Sequence, residues 1–257
     1  MTRGGDRIAA ALRRAIDSGR PAIAAFITAG FPSRRAFPSL LSEVAAACDV
    51  VEVGIPFSDP MADGITIQRA SRVALAGGAS LAWALEAIAG TRGSVEAPVV
   101  LMSYVNPLLA YGIDRLSRDA AGAGISGFIV ADLPFEEQRP VRTALHDAAI
   151  GLVQMVTPAT PEPRLTRLAA ASEGFVYAVT VTGTTGGRLP EDDRMTRYLA
   201  RVRAASTLPV LAGFGVACRA DVSALVPPAH GVVIGSALIA ALERGESAAS
   251  FLTEARP

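Results

Sequence analysis

Eight short apolar runs recur along the chain, at residues 22–28, 50–54, 98–104, 127–132, 150–156, 175–180, 209–213 and 231–236. Each is bounded by Gly, Pro or polar residues, as strands are. The runs are apolar almost throughout instead of alternating with polar residues. Strands covered on both faces read this way, and sheets built of them are parallel. Between the runs, apolar residues recur at helical spacing, as at Phe37, Leu40, Leu41 and Val44. Eight such strand–helix units favour a closed (β/α)8 barrel over a doubly wound open sheet. The length of 257 residues suits one barrel, and no Pro/Ser-rich linker or charge block divides it. A single TIM-barrel domain over residues 1–257 is therefore expected. Ile8, Ala11, Leu12, Ala15 and Ile16 predict an additional helix ahead of the first strand, and residues 237–242 predict a short one after the eighth.

Composition excludes several functions. The formal net charge is zero, which argues against binding a nucleic acid or another polyanion. All 24 basic residues are Arg, so a Schiff-base lysine is impossible. Cys48 and Cys218 lie far apart with no CxxC spacing and read as free, partly buried thiols in a reducing cytoplasm. The Arg-bearing N-terminal stretch lacks a long apolar core, so neither a leader nor a membrane span is expected. His146 falls within a helical stretch and His230 before the last strand; both read as ordinary surface or packing residues. Asp59 and Asp63 could hold Mg²⁺ in principle, but no His/Cys/Asp cluster has metal-ligand spacing. No metal and no cofactor is expected.

Chemistry concentrates in residues 50–64, VVEVGIPFSDPMADG. Side chains alternate along a strand, so Val50, Glu52 and Gly54 share one face and Val51 and Val53 the other. Valines suit packing against the outer helices, which turns Glu52 into the barrel. A carboxyl in the barrel mouth, beside Phe26, Met102 and Tyr177, should have a raised pKa. The following loop carries Asp59 and Asp63. Taken alone, a strand Glu reads as an edge residue and a loop Asp as a turn former. Together, one acid fixed in a strand and one carried on a loop can supply a proton donor and a proton acceptor at one pH.

Glycines gather at three strand ends: Gly183 and Gly186-Gly187, Gly213-Phe214-Gly215, and Gly235-Ser236. Each alone suits a turn. Aligned after the last three strands, they let backbone N–H groups close on an anion, with Ser236 opening a helix and adding a hydroxyl. A phosphate cup is the expected product.

The string from Val51 to Gly64, followed by Thr66-Ile67-Gln68, resembles the signature of the tryptophan synthase alpha subunit family. The resemblance extends over the chain through Phe26-Ile-Thr-Ala-Gly30, Tyr104-Val-Asn-Pro107, Tyr111-Gly112, Asp132-Leu-Pro134, Tyr177, Thr185-Gly186, Gly213-Phe-Gly215 and Gly235-Ser236. It implies a lyase that cleaves indole-3-glycerol phosphate to indole and glyceraldehyde 3-phosphate as the alpha component of tryptophan synthase. It implies that Glu52 protonates the indole ring carbon and that Asp63 accepts the ring-nitrogen proton. Phe26, Met102, Tyr177 and Thr185 would contact substrate; Gly186, Gly215, Gly235 and Ser236 would bind its phosphate. A beta subunit is implied as partner, in an alpha2beta2 heterotetramer, with Pro56, Phe57, Asp59, Pro60, Asn106 and Pro107 at the contact. Ile65 stands where many relatives have Pro, Thr184 where Val is usual, Val181 where some carry a more polar residue, and Phe31 where Asp is frequent. Two other readings stay open: a stand-alone lyase releasing free indole, and a non-catalytic activator of a partner. A phosphate-handling isomerase would explain the glycines but not the run from Glu52 to Asp63.

Overall fold

The computed structural model describes residues 2–180 and 193–257. Its strands are β1 (Ala22–Thr28), β2 (Val50–Gly54), β3 (Val99–Ser103), β4 (Gly127–Val130), β5 (Gly151–Leu152), β6 (Gln154–Val156), β7 (Val176–Val179), β8 (Val210–Gly213) and β9 (Gly231–Ile234). All pair in parallel, in the order β5-β4-β3-β2-β1-β9-β8-β7-β6.

Eight expected strands become nine because the fifth run changes partner midway. β5 pairs with β4, and β6 pairs with β7. Only Val153 separates them; its N–H still donates to Phe128 O at 2.9 Å, on the β4 side. The next N–H, of Gln154, donates to Ser172 Oγ at 2.9 Å. Residues 151–156 thus act as one stave that hands its pairing across the barrel's seam, and the ring is nearly closed.

Parity along the strands sorts the core into two shells. Ala24, Phe26, Val50, Val100, Met102, Ile129, Val153, Tyr177, Leu211 and Val233 fill the interior. Ile23, Ile27, Val51, Val53, Leu101, Phe128, Val176, Val210 and Val232 pack outward. The outer layer meets α2 (Phe37–Ala47), α4 (Leu81–Ala89), α6 (Ile113–Ala123), α7 (Arg139–Asp147), α8 (Glu162–Ala171), α9 (Asp193–Ala204), α10 (Arg219–Leu225) and α12 (Ala248–Ala255). Burying both strand faces explains why the runs read as continuously apolar.

The extra N-terminal helix, α1 (Gly4–Asp17), closes the bottom of the barrel. Ile8, Leu12 and Ala15 join the interior cluster. Gly127 admits this helix: a Cβ there would lie 2.8 Å from Ile8 Cδ1. Gly4 N–H donates to Ala149 O at 2.7 Å, tying the helix to the start of the fifth stave.

At the opposite end, α3 (Ile65–Ala76) follows the loop after β2, and α11 (Ser236–Glu243) follows β9. A two-pronged ion pair joins them, Arg69 Nε and Nη2 donating to Glu243 at 2.6 and 2.5 Å. Ile65, at the first position of α3, is 74% exposed. Proline suits that position too, but would lock φ there, a restraint that Ile65 does not supply.

Some boundaries differ from expectation. Asn106-Pro107 does not merely lead into a later helix; it lies in the first turn of α5 (Val105–Tyr111). Proline is tolerated there because first-turn N–H groups have no intrahelical partner. The Val105 N–H is capped instead by the Asp132 carboxylate at 2.7 Å, and β4 ends at Val130, short of residue 132. The last strand ends at Ile234, since Gly235 caps α11 and Ser236 is its first residue. Neither thiol is partly buried: Cys48 is buried and Cys218 exposed. Burial, with Asp49 adjacent, pushes the Cys48 pKa up to about 12.

Candidate active site

A cleft of about 420 Å³ opens at the C-terminal end of the strands, the end at which barrels carry their chemistry. Glu52, Phe26, Met102, Tyr177 and Val233 line it from the strands, and Asp63 and Ile67 from the connection after β2. Phe214, Gly215, Val216, Gly235 and Ser236 form its other wall.

Glu52 points inward, as parity and its valine neighbours require. It is 1% exposed, and its Oε2 has no hydrogen-bond partner among the described residues. An uncompensated buried carboxylate is costly, so the protonated form is favoured. Burial first, and the charge of Asp63 second, push its pKa up to about 8. Two strand glycines help to wall it in. The Phe26 ring lies over Gly54, and the Tyr177 ring over Gly213, each where a side chain would otherwise stand.

Asp63 reaches the same cleft from the loop. Its backbone N–H donates to Pro60 O at 3.3 Å, and Gln68 Nε2 donates to its carbonyl at 2.8 Å. Burial raises its pKa to about 6, with a hydrogen bond from the Tyr104 hydroxyl opposing the rise. Near neutral pH the pair therefore holds one proton on Glu52 and a charge on Asp63. Asp59, the other loop carboxylate, is exposed and accepts a hydrogen bond from Ser58.

At the far wall the backbone is shaped for close approach. Phe214 and Gly215 have φ of 78° and 79°. Thr180 Oγ1 anchors this turn by donating to Gly213 O at 2.6 Å. Gly235 caps α11, whose first-turn N–H groups have no partner within the helix. Among the described residues, no three His, Cys, Asp or Glu side chains gather as metal ligands.

The family model described as Tryptophan synthase alpha chain matches residues 12–255. The chain belongs to this family. It is 41% identical over 247 residues to the tryptophan synthase alpha chain of Nitratidesulfovibrio vulgaris strain Hildenborough, covering 96% of each chain. It is 42% identical over 244 residues to that of Desulfovibrio desulfuricans, covering 94% of this chain and 96% of the relative. Its fold superposes on a solved structure of Mycobacterium tuberculosis tryptophan synthase with TM-score 0.89 at 32% identity, covering 98% of both chains. The Legionella pneumophila strain Paris alpha subunit gives TM-score 0.86 at 31% identity, with 96% of each chain covered. As a tryptophan synthase alpha chain it is a lyase of tryptophan biosynthesis, and its reaction is the cleavage of indole-3-glycerol phosphate. Among the described residues no single helix is long and apolar enough to cross a membrane.

Of the expected site residues, the cleft brings together Glu52, Asp63, Phe26, Met102, Tyr177, Gly215, Gly235 and Ser236. Thr185 and Gly186 lie outside the described residues, as do Gly183, Gly187, Val181 and Thr184. Pro56, Phe57, Asp59 and Pro60 lie on the loop after β2, apart from the cleft lining. Phe57 stacks on Tyr104 with centroids 5.4 Å apart. Asn106 and Pro107 follow β3, on the neighbouring stave. His146 is exposed, and His230 accepts from Val210 N–H at 3.0 Å; neither lines the cleft. Sequence reasoning missed Tyr104, Ile67, Phe214, Val216 and Val233 as site residues. Parity marks Tyr104, which continues the inward series Val100 and Met102 on its stave, and Val233, which alternates with the outward Val232 and Ile234 on β9.

Proposed function

We propose that Glu52 and Asp63 divide the acid and base work of the cleavage. Substrate would enter with its indole ring between Phe26, Met102 and Tyr177 and its phosphate toward Gly215, Gly235 and Ser236. Gly186 and Thr185 would complete the phosphate and substrate contacts. Glu52 gives its proton to the ring carbon that bears the glycerol phosphate chain. Asp63 takes up the ring N–H as positive charge develops there. The carbon–carbon bond then breaks, its electron pair restores the aromatic ring, and the ring nitrogen takes its proton back from Asp63. The adjoining hydroxyl becomes the aldehyde of glyceraldehyde 3-phosphate and returns its proton to Glu52. Protons balance, and neither a metal nor a cofactor enters. The observation that carries this reading is the opposed pair itself: a buried Glu52 with a pKa of about 8 facing Asp63 at about 6 across one apolar cleft.

Glu52→Gln tests it, because it keeps the shape and removes the proton. Indole release should fall at least 1,000-fold (on the order of a lost general acid and more). Cleavage at the wild-type rate would overturn the assignment.

The same reading makes the chain a single barrel domain acting in the cytoplasm, joined to a beta subunit in an alpha2beta2 heterotetramer. Met61 and Leu109 support a docking face: they are 85% and 57% exposed, on the loop after β2 and on α5. Pro56, Phe57, Asp59, Pro60, Asn106 and Pro107 belong to the same two segments. Mass measurement of the mixed subunits checks the stoichiometry. Turnover with and without the beta subunit separates this reading from a stand-alone lyase, which would need no partner for full activity.

A further inference from the structure

Tyr104 is the residue at which the loop acid, the barrel and the neighbouring helix meet. It follows β3, caps α5, and is 5% exposed. Its ring packs against Phe57. Its hydroxyl accepts from Ala62 N–H at 3.0 Å and faces the Asp63 carboxylate. A phenol oxygen can accept one hydrogen bond and donate another. Since the Ala62 N–H can only donate, the phenol proton is directed at Asp63. The result is a polarised chain from the Ala62 amide, through the phenol, to the carboxylate.

The surroundings give that chain a task. Glu52 faces Asp63 from β2 and Tyr177 from β7, while Asp132 faces Tyr104 from beyond β4. Burial favours a neutral Asp63, and burial with the charges of Asp63 and Asp132 favours a neutral phenol. The Tyr104 hydrogen bond works the other way and favours the ionised carboxylate. Burial and the nearby carboxylates hold the phenol pKa well above the ordinary range, so Tyr104 keeps its proton throughout the working pH. It also holds the loop: one oxygen binds both residue 62 and residue 63, and Gln68 binds the Asp63 carbonyl from α3.

We infer that Tyr104 is a positioning residue for the cleavage, fixing Asp63 over the barrel mouth and holding it as the charged proton acceptor. This rests on the reading of Asp63 as the base. Two predictions separate it from a packing role. Tyr104→Phe keeps the ring on Phe57 but removes the hydroxyl. The acidic limb of kcat/KM should then move up by about one pH unit, the size of a hydrogen bond to a charged group. In addition, kcat at pH 7 should fall about 10-fold, with KM changed less.

The experiment measures indole release from indole-3-glycerol phosphate by the full chain with its beta subunit, across pH 5 to 9, for Tyr104→Phe, Asp63→Asn and the double variant. Tyr104→Phe should add little to Asp63→Asn, because the two groups act as a unit. A ¹³C titration of labelled Asp63 in the resting chain, assigned by its loss in Asp63→Asn, should show the same upward move. An acidic limb and a titration unchanged in Tyr104→Phe would overturn the inference. So would a loss in the double variant equal to the product of the single losses. Full activity in Asp63→Asn would instead overturn the base assignment itself.

Discussion

The Tyr177 hydroxyl lies directly over Gly213, in space that any Cβ at that position would occupy. β7 and β8 pair so that Tyr177 opposes Leu211, and the ring leans toward the strand end across the glycine. There it meets Phe214 edge-on, with centroids 6.0 Å apart. Its other side faces Glu52, whose charge, after burial, raises the Tyr177 pKa well above normal. The absence of a side chain at 213 is thus what lets an aromatic wall close beside the acid.

Gly213→Ala should therefore displace Tyr177. Overpacking of this kind costs about 1–3 kcal/mol, or about 2–4 °C of Tm per kcal/mol for a chain of this size. A shift of about an ångström in a positioning group costs activity far more, on the order of 10- to 100-fold. Thermal melts and kcat/KM measured together should show a modest loss of stability beside a large loss of rate. Unchanged kinetics would mean the ring yields without touching the chemistry.

The pH dependence of kcat/KM should be bell-shaped. Asp63 must be ionised to accept, so activity rises through about pH 6. Glu52 must be protonated to donate, so activity falls through about pH 8. The two groups interact, and the limbs report the pair. A profile flat from pH 5 to 9 would contradict the division of roles.

Glu52 also links stability to pH. Its folded pKa of about 8 lies above the ordinary value of 4.5. Between these values the native chain keeps a proton that the unfolded chain has released, so folding stability falls as pH rises through that window. Asp63 adds the same sense between its ordinary value of 3.8 and about 6. Glu52→Gln removes the larger of these links. One pKa unit alone is worth about 1.4 kcal/mol, or about 3 °C at this size, so the variant should gain at least that much over wild type between pH 5 and pH 8.5. Parallel melting curves at both pH values would show that Glu52 titrates normally.

Much of this was legible in the residues because burial imposes parity. Val51 and Val53 belong to the outer shell, and Glu52 follows into the interior by alternation alone. The N-terminal helix read from helical spacing of its apolar residues, and the glycine-lined wall from glycines gathered at strand ends. The change of partner at Val153 did not, since a seam is a matter of hydrogen-bond register and leaves the apolar run unbroken. Tyr104 was hidden for a different reason. Its role depends on a loop, residues 55–64, folding back onto a neighbouring stave, and local spacing does not encode which stave that is. Ile67 and Phe214 escape local spacing for the same cause: each enters the cleft from a connection, one on α3 and one at a positive φ of 78°.

The end of the barrel away from the cleft should govern stability with little effect on rate. Ile8 is fully buried and packs from α1 against Gly127 and Gly174, where added Cβ atoms would stand 2.8 and 3.0 Å from its atoms. These close approaches leave neighbouring backbone little freedom to collapse if the side chain is shortened. Ile8→Ala should then leave a cavity and cost about 2–5 kcal/mol, lowering Tm by about 4–20 °C. Glu52 and Asp63 lie at the opposite end of the strands, so kcat/KM at 25 °C should stay within about twofold of wild type, as expected for the non-catalytic face of a barrel. A melt paired with an indole-release assay on the same preparation decides it. A rate loss matching that of Gly213→Ala would mean that the bottom helix positions the cleft as well as closing the core.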